Sequence, residues 1–326
     1  MGIYREHHRG DGRAGYAGAD GSRYGNRKCS GKNRAGFRKL KKHNTLILIS
    51  PWLLTLLIFW AFPIVYSLGL SFTNYSIFGK TSFVGFANFI KLFSDSSFLQ
   101  ALKNTSFFVF GTIPFTTVIA LILAVLIAEK VPGHKIFQAG YFIPSITSMV
   151  VIALIFSSLY ARDGYLHILG RLAGIDVPAN GYLFSISTAL PAIMVMDIWV
   201  AIGYYVLLFL AGIKSIPIEI NEAAKLDGAG FWRRLYSVTL PQITPILLFI
   251  LVINTIRSFQ VFIEIYVMTK GGPLGSTSTV VYFVFEQGLQ KFNMGYASAA
   301  AYLLFVIILG FSLLQMKLLA RRGSVN

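Results

Sequence analysis

SIPIEINEAAKLDGAGFWRRLYSVTLPQITP, running from Ser215 to Pro245, interrupts a strongly apolar chain and carries the punctuation of two short helices. Ser215 suits a helix cap and Pro217 is tolerated in the first turn, while Glu219 and Glu222 favour the positive end of the helix dipole. This helix is predicted to stop near Gly228, because glycine accepts the left-handed conformation that closes a helix. Phe231 to Ser237 is predicted as a second short helix, ended by the approach of Pro241. Apolar Ala223, Ala224, Phe231, Trp232 and Leu235 interleave with Glu222, Lys225, Asp227, Arg233 and Arg234. Such a knob suits docking into a groove on a partner protein, and it equally suits lying along lipid headgroups.

Outward from this stretch the composition decides the class. Of 326 residues, 55% are hydrophobic and only 13% charged, which in a soluble protein would leave too little polar surface to cover the core. A span needs about 20 predominantly apolar residues to cross about 30 Å of hydrocarbon. Six segments qualify, near Leu46–Leu70, Ser106–Ala128, Gln138–Tyr160, Thr188–Gly212, Ile246–Met268 and Met294–Lys317. An even number places both termini on one side. That side holds 21 lysines and arginines against 7 on the other, so both termini are predicted to be cytoplasmic and the quoted loop with them.

Twelve of those cations fall in residues 1–45, among glycines and few aliphatic residues, and they account for much of the net charge of +16. The tail is predicted to be mostly disordered and cytoplasmic, setting topology rather than binding nucleic acid. With no apolar stretch before residue 46, no cleaved secretory signal is expected there. Cys29 is the sole cysteine, so neither an intrachain disulfide nor a cysteine-based metal cluster is expected.

The loop resembles the EAA loop of the permease subunits of binding-protein-dependent ABC importers: Glu222-Ala223-Ala224, Gly228 after three residues, and Val238 after nine more, followed by Leu240 and Pro241. Extension through Asp227, Gly228 and Ala229 is similar to the carbohydrate-uptake branch, whose members resemble the F-type subunit of the maltose permease. Three more stretches match: GFANFIKLFSDSSFLQALKNTSFFV (Gly85–Val109), with Asn88, Phe89, Ala101, Leu102, Asn104 and Thr105; TKGGP (Thr269–Pro273); and WVAIGYY, with Trp199 and Gly203. The large extracytoplasmic insertion of the maltose subunit is absent.

The resemblance implies an all-α membrane protein, a six-transmembrane-helix type I importer bundle in the bacterial cytoplasmic (inner) membrane. The permease domain would cover 46–318, with the coupling loop at 213–245 and a cytoplasmic tail at 319–326. It implies that Glu222, Ala223, Ala224, Asp227, Gly228, Arg233, Leu240 and Pro241 couple to a separate ATPase, Glu222 meeting a basic residue there. The implied partners are a homologous six-span subunit, two ATPase copies that bind ATP and Mg, and an extracytoplasmic solute-binding protein.

Within the membrane, Asn254, Arg257, Gln260 and Glu264 recur at steps of three and four, which predicts a polar stripe on the fifth span. An arginine at mid-helix costs about 2.5–3.5 kcal/mol on insertion scales, so pairing or water must offset it. Two readings stay open: a translocation surface whose amides and charges bind sugar hydroxyls, with Arg257 drawing an anionic solute, or a buried pair of Arg257 with Glu264 or Asp197. Tyr204, Tyr205 and Trp199 offer rings for sugar stacking, with ordinary packing the better reading for each.

FGKTS (Phe78–Ser82) lacks the first glycine of a phosphate loop, because the required position is Asn74. No ATP site is therefore expected in this chain. His7, His8 and His43 lie in the tail, while His134 and His167 stand alone, and no metal or catalytic constellation is read. A secondary transporter would need an inverted repeat or broken helices with ion ligands, and the sequence signals neither.

Overall fold

The computed structural model describes residues 47–76, 79, 81–128, 133–175 and 177–323. The tail through residue 46, with Cys29 and its three histidines, lies outside them, as do Phe78 and Lys80 of the FGKTS segment and residues 324–326. The chain divides into two compact units, Met1–Ala61 and Phe62–Asn326. Described residues 47–61 of the first are helical and almost entirely exposed.

Among the described residues the protein is helical, with two isolated bridges, Thr73 to Phe83 and Ala161 to Gly181, and no strand. Among the described residues, five helices are long and apolar enough to span a bilayer: Ile47–Ser71 (α1), Ser96–Ala128 (α3), Ala189–Lys214 (α7), Thr244–Met268 and Met294–Leu318. The last belongs to a helix, α14, that continues to Gly323, past the predicted end of the domain at residue 318. Short α2 (Ala87–Ser94) leads into α3.

The predicted third span is not one straight helix. It consists of α4 (His134–Ile146) and α5 (Met149–Tyr160), and their spanning parts are bent by 106°. Pro144 sits in the last turn of α4 and supplies no N–H there. Thr147 then takes an extended conformation and Ser148 a non-helical one, and Thr147 Oγ1 donates to the Ile143 carbonyl at 2.8 Å.

Helix α7 is the axis of the bundle: 67% of its most apolar window is buried, against 44% for α3. Because lipid is as apolar as leucine, helices here associate through close packing of small side chains. Ala120 and Ala124 of α3 and Ala201 of α7 share one core with Tyr205, Val206 and Phe209. At Gly203 a Cβ would collide with the backbone of Tyr141 and Phe142, so only glycine lets α4 cross α7 this closely.

The family-like residues before α3 are structural ties. Asn88 donates to the carbonyls of Ser71 and Thr73, both at 2.9 Å. Asp95 ends α2 and caps α3, accepting from Ser97 N–H at 2.8 Å and from the Tyr296 hydroxyl at 2.7 Å. Partial burial alone would raise its pKa, but these hydrogen bonds and nearby Lys91 outweigh that and hold it below the ordinary carboxylate value. Asn104 donates to the carbonyls of Gly275 and Ser278, so α3 anchors the turn that follows TKGGP.

Candidate coupling loop and translocation cavity

After α7 the chain turns at Ser215, whose hydroxyl donates to Gly212 O at 2.7 Å and thereby closes α7. The expected N-cap role falls instead to Pro217, and α8 runs from Ile218 to Leu226. Its end is as predicted. Gly228 takes φ +72°, its N–H bonds Lys225 O, and Ala229 N–H bonds Ala224 O, both at 3.0 Å. This pair of bonds is the Schellman arrangement, in which a left-handed residue satisfies carbonyls the helix leaves free.

The second predicted helix does not stop before Pro241. Phe231–Arg234 (α9) passes into a π-turn, Leu235–Thr239, and then Leu240–Gln242 (α10). The wider turn, with Leu240 N–H reaching back to Leu235 O, accommodates a proline ring that would clash with the carbonyl four residues earlier in a regular helix.

Two faces of α8 differ in kind. Half-buried Asn221, with Ile218 and Lys225, which keep much of their surface exposed, lines a cavity on the side of the bundle. Glu222, Ala223 and Leu226, the last 89% exposed, point away with Asp227 and Gly228, and Ala224 is half-buried. Trp232 and Tyr236 stack at 6.3 Å and are also exposed, as are Arg233 and Pro241, while Leu240 is half-buried. The outward face therefore offers small apolar, aromatic and acidic groups together.

The fifth span, Thr244–Met268, is interrupted for a few residues without the sharp bend of the third. Helix α11 (Thr244–Phe259) ends with Gln260 as its cap, and α12 (Ile263–Met268) begins after Val261 and Phe262. No glycine or proline marks the break. It is held from outside the helix, where the Thr279 hydroxyl donates to Val261 O at 3.0 Å. Of the expected polar stripe, Arg257, Gln260 and Glu264 line one cavity across this interruption and Asn254 does not, and the interruption itself was not anticipated.

The break opens a cavity of about 540 Å³ lined by Phe108, Met149, Asp197, Arg257, Gln260 and Glu264, among others. Arg257 grips Asp197 with both terminal nitrogens, Nη2 to Oδ1 at 2.5 Å and Nη1 to Oδ2 at 3.2 Å. Of the two anticipated pairings, the one with Asp197 forms. The carboxylate is almost fully buried, whereas the guanidinium side chain remains 33% exposed. A guanidinium has five N–H donors, so donors remain toward the cavity. Buried Glu264 lies in electrostatic range of both partners.

Two candidates fall elsewhere. Asn254 is buried in contact with Ser258, which in turn approaches Thr112 of α3, so it serves helix packing and does not line the cavity. Tyr204 is half-exposed, edge-on to Tyr205, and likewise outside the lining; Tyr205 is core and Trp199 packs on Phe156. Missed by sequence reasoning were Phe108, Met149 and the Val261–Phe262 break, for which spacing carries no signal. Among the described residues no cluster of metal-ligating side chains occurs.

Residues 86–323 match the family described as binding-protein-dependent transport system inner membrane component. The chain is 35% identical over 277 residues to the probable ABC transporter permease protein YesP of Bacillus subtilis, covering 83% of this chain and 89% of that one. It is 30% identical over 294 residues to the arabinooligosaccharides transport system permease protein AraP of the same organism, covering 89% and 93%. The crystal structure of a bacterial ABC transporter involved in import of the acidic polysaccharide alginate contains a chain with TM-score 0.75 and 25% identity, covering 87% of this chain and 98% of that one. A multi-pass bundle with an exposed helical loop, matched over its length by such permeases, places this chain in the binding-protein-dependent transport system inner membrane component family, as an ABC transporter permease subunit.

Proposed function

We propose that this chain forms half of the translocation pathway of an ATP-driven carbohydrate importer in the bacterial cytoplasmic membrane, with both termini in the cytoplasm. The observation that carries this reading is the outward face of α8 and α9, where Glu222, Ala223, Leu226 and Trp232 are exposed on a helix whose end Gly228 fixes. That face docks into a cleft of a separate ATPase, two copies of which bind ATP and Mg. A homologous six-span subunit completes the pathway, and an extracytoplasmic binding protein delivers the solute. Closure of the ATPases pulls the loop and rocks the spans around the cavity at the broken fifth span.

For the solute, Arg257 favours an anionic saccharide or a sugar phosphate. Its spare donors face a cavity of about 540 Å³, and Gln260 beside it suits hydroxyl groups. Relatives named for arabinooligosaccharides and for sn-glycerol-3-phosphate, together with the alginate importer, span neutral and anionic cargo. In an Asp197→Asn background, which leaves no buried carboxylate unpaired at that position, Arg257→Gln is expected to reduce uptake of an acidic oligosaccharide about 10- to 100-fold, as loss of a hydrogen bond to a charged group implies. Uptake of a neutral oligosaccharide should fall much less. Equal losses in proteoliposome assays would assign Arg257 to the ion pair alone.

A further inference from the structure

A second cavity, of about 410 Å³, lies between α8 and the ends of α3 and α7. Its walls are apolar where Val125, Ile213, Phe231 and Leu235 meet, and two exposed lysines belong to its lining, Lys214 from the last turn of α7 and Lys225 from α8. Among the described residues neither lysine has an ion-pair partner and no residue of the lining is acidic. Arg234 also lines the wall and already has an interaction of its own. The acids of α8, Glu219 and Glu222, are exposed and lie outside the lining.

The position of this cavity matters as much as its charge. Ala128 and Lys214 are the terminal residues of two spans, so the cavity sits at headgroup depth and combines apolar walls with basic residues. Basic pockets between spans at the cytoplasmic surface are suited to anionic lipid headgroups. We propose that this cavity holds the phosphate of an anionic inner-leaflet phospholipid between Lys214 and Lys225, with Asn221 supplying an amide. The lipid ties the coupling helix α8 to the ends of α3 and α7, so motion of the loop is transmitted to the bundle through a lipid as well as through the chain. This rests on the cytoplasmic placement of the loop proposed above.

The test uses the assembled transporter with its ATPase, purified in detergent with defined mixtures of phosphatidylglycerol and phosphatidylcholine and analysed by native mass spectrometry. Wild type is expected to retain phosphatidylglycerol preferentially. Lys214→Gln with Lys225→Gln is expected to lower that preference about 30-fold, from about fivefold per lysine beside an anionic headgroup. The double arginine variant, which keeps both charges, should restore it and exclude misfolding as the cause. Glu222→Ala should keep the lipid preference even if it abolishes coupling, so failure of the docking reading is distinguishable from failure of this one. Unchanged phosphatidylglycerol retention in the double glutamine variant would overturn the proposal. Displacement of the lipid by millimolar inorganic phosphate would also overturn it, assigning the site to free phosphate.

Discussion

Gly228→Val is expected to abolish most of the stimulation of the partner ATPase by solute-loaded binding protein, a loss of at least about tenfold. At φ +72° a β-branched side chain costs on the order of 1–3 kcal/mol, enough to move the end of α8 by rearranging the bonds from Gly228 and Ala229 to the last turn. Little around the residue offsets this strain, because a Cβ there meets no atom within 4 Å; the effect comes from the backbone and not from a clash. That distinction gives the experiment its internal control. Gly228→Asn, which tolerates the left-handed region, should retain most of the coupling, whereas Gly228→Val should not. Glu222→Ala should also lose coupling while inserting normally, since its exposed side chain forms no hydrogen bond or ion pair within the described residues. Wild-type stimulation in both Gly228→Val and Glu222→Ala would remove the loop from the mechanism.

The second large effect is expected at Asp197. Its carboxylate is 2% exposed and receives both terminal nitrogens of Arg257, so Asp197→Ala leaves a guanidinium inside the bundle without its counter-ion. Breaking one side of a buried pair costs about 3–5 kcal/mol, and the partial exposure of Arg257 places the cost toward the lower end. Thermal unfolding of the reconstituted complex should shift sharply downward, and less protein should assemble. Removing both charges in Asp197→Asn with Arg257→Gln should recover much of that stability without recovering uptake of an anionic solute. A single Asp197 variant as stable as wild type would mean that the Glu264 carboxylate compensates the charge of Arg257, or that water in the cavity solvates it.

These two sites were unequally legible in the sequence. The Ser215–Pro245 loop was readable because its determinants are local: a run of charged residues between apolar spans, and a glycine where the helix must close. Ser215 and Pro241 were misplaced because each serves a neighbour. Ser215 closes the preceding span, and Pro241 is absorbed by a π-turn that propensity does not reveal. The membrane site was only half legible. Arg257 and Asp197 announce themselves as charges in apolar surroundings, and one of the two anticipated pairings forms. The break at Val261 and Phe262 is set by a threonine eighteen residues downstream, outside any local window. Asn254 shows the converse, since its helical spacing placed it on the stripe, yet a neighbouring helix covers it. The bent third span carried a signal in Pro144, hidden because a hydropathy window averages over it.

The broken spans bear on mechanism. Interrupted helices in other transporters place polar groups at the midplane, and here the interruption puts Arg257, Gln260 and Glu264 around one cavity. Their presence does not shift this chain toward ion-driven transport, because family membership leaves energy coupling to a separate ATPase. Under the proposed coupling, a pull on the loop would reach the membrane site along α11, which begins just beyond Ile243, the residue that closes α10, and ends at the cavity.

The most direct measurement of the central claim is photo-cross-linking from the loop in the assembled transporter. With Cys29→Ser removing the one native thiol, a benzophenone maleimide is attached to Ala223→Cys on the outward face of α8. The same label on Lys291→Cys, a lysine of the connection opposite the loop, reports the other side. Adducts with the ATPase from position 223 and none from position 291 are the expected result; ATPase adducts from 291, or only lipid adducts from 223, would contradict the account.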